Sequence, residues 1–177
     1  MKMIALATVA AFAVVASSAE AHGPTRRKIE ETVEIDAAPA KVWAAIGNFQ
    51  DMSWLPPVEK TEGTGGNDAK ATRTLTLKGG ATVEEQLNKY AADAMTYSYR
   101  ITKVDVKTLP VNDYSSTLKV EDAGGKSKVT WSGAFYRGYM NNDPPPELND
   151  EASTKAVRGL YRTGLDALKA KVEKSGS

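Results

Sequence analysis

Apolar and polar residues alternate in steps of two from Lys28 to Ile35, with Ile29, Val33 and Ile35 on one side and Glu30, Thr32 and Glu34 on the other. This predicts a half-buried strand. The period then changes. Asp36-Ala37-Ala38-Pro39 offers a turn and a proline suited to a first helical position, and Val42, Ile46 and Phe49 recur at helical spacing, so a helix is expected from about Ala38 to Asn48. Its continuation, Phe49 to Pro57, reads as a second short helix or turn ended by two prolines. Six short alternating segments follow, near Val58–Gly63, Ala71–Leu77, Thr82–Tyr90, Met95–Val104, Tyr114–Glu121 and Lys128–Tyr136, separated by glycine-rich or polar turns. That is the sequence form of an antiparallel meander. Leu109 to Asp113 interrupts it as a bulge or loop would. Gly138 to Asp150 is a polar loop whose Pro144, Pro145 and Pro146 are expected to exclude both helix and central strand.

From Asn149 or Asp150 the helical period returns, with Ala156, Leu160, Gly164, Leu165, Leu168 and Val172 on one side. Asp150 and Glu151 at the start and Lys169, Lys171 and Lys174 at the end suit the helix dipole. This helix would span roughly 24 residues, or about 36 Å, enough to cross a sheet. The predicted fold class is α+β: a curved antiparallel sheet of about seven strands wrapped around a long C-terminal helix, with two short helices after strand 1.

The N-terminus is different in kind. Lys2 precedes an uncharged apolar run from Met3 to Ala16, followed by Ser17, Ser18 and the small-x-small triplet Ala19-Glu20-Ala21. The run is too short and alanine-rich to span a bilayer, which takes about 20 apolar residues, and the order of regions is that of a secretory signal peptide. Residues 1–21 are therefore expected to be a signal cleaved after Ala21, directing the protein to the periplasm without a stable membrane anchor. Residues 22–177 form one expected domain, long enough to bury a sizeable core. The 23 basic and 22 acidic residues give a net charge of +1. A near-neutral surface excludes nucleic acid as an expected partner, since that would ask for a basic excess. Without cysteine, stability has to come from apolar burial and hydrogen bonding.

Missing residue types exclude much chemistry. The chain has one histidine, His22, and no cysteine, so zinc sites of His and Cys, attached haem, iron–sulfur clusters and a Ser-His-Asp triad each lack required parts. No cofactor or metal is expected, and no glycine pair has the order of a phosphate-binding loop. One carboxylate stands out. Glu85 shares a face with Val83 and Leu87, which points it inward as an acid or base, or else to a rim or to pairing with a basic residue. Trp43, Trp54, Tyr97, Tyr99, Tyr114, Trp131 and Phe135 could line a ligand pocket beneath the long helix or simply fill the core.

The first strand, the segment from Asp36 to Ile46 and Trp54-Leu55-Pro56 resemble the opening of the SRPBCC superfamily, also called START or Bet v 1-like. Leu109–Leu118 and Val129–Tyr136 look like its polyketide cyclase/dehydrase-like branch. The resemblance implies a helix-grip fold with an apolar ligand cavity. With the export signal and the loop from Asn141 to Asp150, the chain is also similar to periplasmic accessory proteins of bacterial methanol oxidation. That likeness implies a non-catalytic helper whose partners are methanol dehydrogenase and its c-type cytochrome. Tyr139, Met140, Asn141, Asn142, Asp143, Pro144, Pro145 and Pro146 are then the expected docking surface, because prolines reduce the entropy lost on binding. Two rival expectations stand beside it: a carrier of a small hydrophobic ligand such as a lipid, quinone or aromatic metabolite, and a cyclase-type enzyme acting through Glu85 or a tyrosine.

Overall fold

The computed structural model describes residues 23–175; the expected signal segment, its cleavage point and His22 lie outside that range. The element order is β1 (Arg27–Ile35), α1 (Pro39–Ile46), β2 (Val58–Thr64), β3 (Thr72–Leu77), β4 (Thr82–Ala91), β5 (Thr96–Val104), β6 (Val111–Asp122), β7 (Ser127–Arg137), one 3-10 turn (Pro146–Leu148) and α2 (Asp150–Lys174). All seven strands join one antiparallel sheet in the order β1-β7-β6-β5-β4-β3-β2. The first strand thus pairs with the last, and β2 to β7 form a simple meander. The curved sheet and the long C-terminal helix make the helix-grip fold.

Helix α1 starts at Pro39, where a proline has no intrahelical partner to lose, and it buries Val42 and Ile46. Of the two alternatives left open after it, the turn forms and the second short helix does not: residues 49–57 run as turns, because side chains capture the backbone donors that a helix would need. Phe49 N donates to Asn67 Oδ1 at 2.8 Å, Gln50 N to Asn48 Oδ1 at 3.0 Å and Ser53 N to Asp51 Oδ1 at 2.8 Å. These turns still bury Phe49, Met52, Trp54 and Leu55.

Two further differences are local. Strand β6 begins at Val111 and absorbs the expected interruption as a bulge between Asn112 and Ser115, with Asp113 at φ 45°. The third proline of the loop, Pro146, opens the 3-10 turn, since a first helical position needs no N–H.

Helix α2 is capped by Asn149, whose side chain accepts from Ala152 N at 2.8 Å. Its buried stripe is Ser153, Val157, Tyr161, Gly164, Leu165, Leu168 and Val172. Ala156 and Leu160, expected in that stripe, are only half-buried, because the helix is turned to put Tyr161 at the centre of the contact. The Tyr161 ring stacks on Trp131 with centroids 4.3 Å apart. Two glycines permit this approach: a Cβ on Gly133 would lie 2.1 Å from the Tyr161 hydroxyl, and one on Gly164 would lie 2.8 Å from both Leu55 and Trp131. Helix α2 packs chiefly on β1 and β7. Arg162 and Lys169 secure it there, donating to Thr32 O and Glu34 O of β1, each at 2.9 Å.

The two helical glycines should respond oppositely to alanine. Gly164→Ala is expected to lower stability by about 1–3 kcal/mol, because overpacking against Trp131 and Leu55 outweighs a gain in helix propensity of about 1 kcal/mol. At Gly159 an added Cβ meets nothing within 4 Å, so Gly159→Ala should raise stability, by roughly 0.5–1 kcal/mol. Urea midpoints at constant m-value check both signs.

Candidate functional site

Seating α2 on β1 and β7 leaves the other half of the sheet uncovered from above. There a cavity of about 330 Å³ lies between the helix and strands β2 to β5, at the small end of ligand-pocket sizes. Its sheet wall includes Leu75 and Leu77 of β3, Val83 and Glu85 of β4, and Tyr99 and Ile101 of β5. Ala156, Gly159, Leu160 and Thr163 of α2 form its roof, with Thr108 and Leu109 of the β5–β6 loop beside them. The opposite end of the sheet is plugged: Trp43 of α1 packs on Tyr90 and Tyr97, and Phe49 packs on Tyr97 and Tyr99.

Glu85 is inward, as the alternation with Val83 and Leu87 suggested, and it is also paired. Arg73 lies directly opposite it across the β3–β4 ladder. Arg73 Nε donates to Glu85 Oε2 at 2.6 Å, with both side chains almost fully buried. Arg73 Nη1 donates to Phe49 O at 2.7 Å, and the guanidinium sits 4.1 Å from the Phe49 ring centroid and 4.9 Å from that of Tyr99. Burial opposes the charge on Arg73, but the Glu85 carboxylate and the Tyr97 and Tyr99 hydroxyls outweigh it and hold the guanidinium protonated. Burial pushes the Glu85 carboxyl above its usual range, and Arg73 pulls it part of the way back.

A second polar group anchors the helix. The Tyr161 hydroxyl lies 2.6 Å from the Tyr114 hydroxyl and 3.0 Å from Ser116 Oγ. Ser116 Oγ also accepts from Trp131 Nε1 at 2.8 Å and donates to Ser132 O at 2.8 Å. Each of these buried polar groups therefore has a partner, as an apolar interior requires.

Among the residues expected to bind a ligand, Glu85, Tyr99, Tyr114 and Trp131 line the cavity. Trp43, Trp54, Tyr97 and Phe135 do not. Trp43 and Tyr97 belong to the plugged end, Trp54 packs edge-on against Trp131, and Phe135 stacks behind Tyr114. Inward parity is common to the whole sheet, whereas only one half of it faces open space. Sequence reasoning missed Arg73, although Ala71 just before β3 and Arg73 and Leu75 within it alternate as buried positions and so carried the same signal as Glu85. It also missed Ser116 and Tyr161, which nothing in the local pattern marks as partners.

The expected docking loop is held by Arg137, which is 6% exposed and donates to Tyr139 O at 2.8 Å and Asn141 O at 2.9 Å. Tyr139, Pro144 and Pro145 are half-buried, while Met140, Asn141, Asn142, Asp143 and Pro146 are exposed. A wider hollow of about 500 Å³ lies on the face of the sheet away from α2, lined by Lys28, Glu30, Ser98, Ser115 and Ser132 among others. Its short polar side chains stay hydrated, so it suits an apolar guest less well than the smaller cavity. Among the described residues no group of three or more His, Cys, Asp or Glu side chains is placed to hold a metal ion, and no helix is long and apolar enough to cross a membrane.

Residues 26–173 match the family model described as polyketide cyclase / dehydrase and lipid transport, and the chain belongs to that family within the SRPBCC superfamily. Among solved structures, XoxI from Bacillus cereus is 29% identical with a TM-score of 0.72, over 85% of this chain and 98% of that one. A protein from Nitrosospira multiformis is 21% identical with a TM-score of 0.68, over 85% of this chain and 100% of its own. The Zhui aromatase/cyclase from Streptomyces is 16% identical with a TM-score of 0.69, over 86% of this chain and 97% of its own. The last two likenesses concern the fold alone. Among curated protein sequences none matches this chain.

The buried tyrosines predict a pH response. Burial raises the phenols of Tyr97, Tyr99 and Tyr114, and it pushes Tyr161 up to about 12 against the hydrogen bonds from Ser116 and Tyr114. A raised folded-state pKa means that this contribution to stability is complete below the unfolded value of about 10. It is lost as pH climbs from there through about 12, because the unfolded chain releases protons that the folded one retains. Tyrosinate absorbance from these four residues should therefore appear together with unfolding seen by circular dichroism. Their ionisation in the intact fold would contradict the geometry.

Proposed function

We propose that the protein binds and carries a small, largely apolar molecule in the cavity beneath α2. The observation that carries this reading is the uncovered half of an otherwise filled sheet, walled by Leu75, Leu77, Val83, Ile101 and Leu160, while Trp43 and Phe49 fill the opposite end of the sheet. Such a wall favours an apolar guest by about 25 cal/mol for each Å² of apolar surface removed from water. The family embraces lipid transport as well as cyclase chemistry, which is compatible with a carrier. Binding is favoured over catalysis because Glu85 is the one carboxylate among the lining residues, Arg73 occupies its Oε2, and the lining has no histidine. The signal-like N-terminus supports a periplasmic setting.

The test is titration with the fluorescent probe phenylnaphthylamine. We expect saturable binding to the wild type and at least a tenfold loss in Ala156→Phe, whose ring would occupy the cavity. Equal affinity of the two proteins, both folded, would remove the cavity from consideration.

A second reading keeps the accessory role in methanol oxidation, following the likeness of the signal-like N-terminus and the loop from Asn141 to Asp150 to MxaD. One feature favours it: Met140, 44% exposed, is the exposed large hydrophobic residue among the described ones, and it stands on a loop that Arg137 holds in place. Deleting Asn141 to Pro146 should then abolish co-purification with periplasmic methanol dehydrogenase. An unchanged pull-down sinks this reading while leaving the carrier intact.

A further inference from the structure

We infer that the cavity selects guests bearing a hydrogen-bond donor, which docks between Glu85 Oε1 and the Tyr99 hydroxyl. The inference rests on the proposed cavity function and adds the chemical class of the guest. Glu85 has two oxygens, and Arg73 takes one. The other, Oε1, makes no hydrogen bond among the described residues and belongs to a side chain that lines the cavity while only 5% exposed. Tyr99, 2% exposed, lines the same wall, and its hydroxyl likewise has no hydrogen-bond partner there. The two residues are neighbours: Glu85 faces Ile101 and Leu87 faces Tyr99 in the β4–β5 ladder, so Tyr99 stands one diagonal step from Glu85 on the inward face.

The polarity of this pole follows from its parts. Arg73 donates to Glu85 and to Phe49 O, and its Nη2 is buried without a partner; the pair as a whole is neutral, and Arg73 is not among the lining residues, so no free cation faces an anionic guest. A carboxylate oxygen offers lone pairs, and a tyrosine hydroxyl offers both a lone pair and a proton. A guest with an alcohol, phenol or neutral amine N–H satisfies Oε1. A bare ether or hydrocarbon leaves a buried acceptor unpaired, the arrangement that binding sites reject most strongly. Apart from the hydroxyls of Thr108, Tyr114 and Thr163 the rest of the lining is mainly apolar, so the favoured guest is a compact hydrophobic body with one such donor at its end.

Naphthalene, naphthol and methoxynaphthalene have nearly the same body and differ in the donor, so calorimetric titration of the intact folded domain with all three provides the test. Naphthol should bind at least tenfold more tightly than either of the others. Most of that advantage should vanish in Glu85→Gln, which presents an amide to Arg73 and to the guest. Tyr99→Phe, which removes only a hydroxyl, should reduce it and serves where the Glu85 variant fails to fold. Equal binding of the three probes to the wild type overturns donor selection while the cavity reading stands. Methoxynaphthalene binding as tightly as naphthol overturns it too, since polarity without a donor would then suffice. If none of the three binds, the cavity reading falls together with the inference.

Discussion

The contact of Tyr161 with Trp131 decides where everything else in this molecule can lie. A tyrosine ring stacked at 4.3 Å on a central strand requires the helix to come unusually close, and Gly133 and Gly164 remove the two side-chain atoms that would stand in the way. Once the helix is seated there, its hydroxyl completes a set of hydrogen bonds with Tyr114, Ser116 and Trp131 that leaves none of these groups unpaired. A rod packed chiefly on β1 and β7 leaves a gap between itself and β2 to β5. The cavity is the geometric remainder of that choice. Its volume depends on the helix position, and its walls on the inward residues of the strands left uncovered.

Within that remainder, Arg73 and Glu85 introduce the opposite requirement. Taking two charges out of water costs several kcal/mol per ion, and the attraction between them offsets this only when geometry is close and other hydrogen bonds are met. Here the contact is 2.6 Å, and Phe49 O and the faces of Phe49 and Tyr99 supply further partners to the guanidinium. Removing either partner would strand the other, so the pair is more a specification of geometry than a source of stability. It gives a mostly apolar space one polar end. The same pair also ties the turns after α1 to the middle of the sheet, since Phe49 both receives a hydrogen bond from Arg73 and plugs the end opposite the cavity.

Much of the architecture was legible from patterning, for reasons that can be named. Alternation in β1, β4 and β7 marked inward residues correctly because a two-residue period is a local property of extended backbone. The start and end of α2 were readable from Asn149, the acidic first turn and the lysines near its end. At 49–57 the pattern left helix and turn open, and the choice of turns rests in part on Asn67, more than a dozen residues away, accepting from Phe49 N. Family membership was legible in the segments around Asp36 to Ile46 and Val129 to Tyr136, and the match over residues 26–173 establishes it.

The candidate site divides along the same line. Sequence by itself determined which side chains face inward, including the charged Glu85 and, had it been read, Arg73, since strand parity is set by neighbours one and two residues away. Only the tertiary structure decided which inward residues border empty space and which are packed. It separated Tyr99 and Tyr114, at the cavity, from Tyr97 and Phe135, inside the core. The physical reason is that an unfilled volume belongs to no residue. It arises from the separation of a helix and a sheet, and that separation is set by Gly133 on one strand together with Tyr161 and Gly164 on a helix that follows much later in the chain.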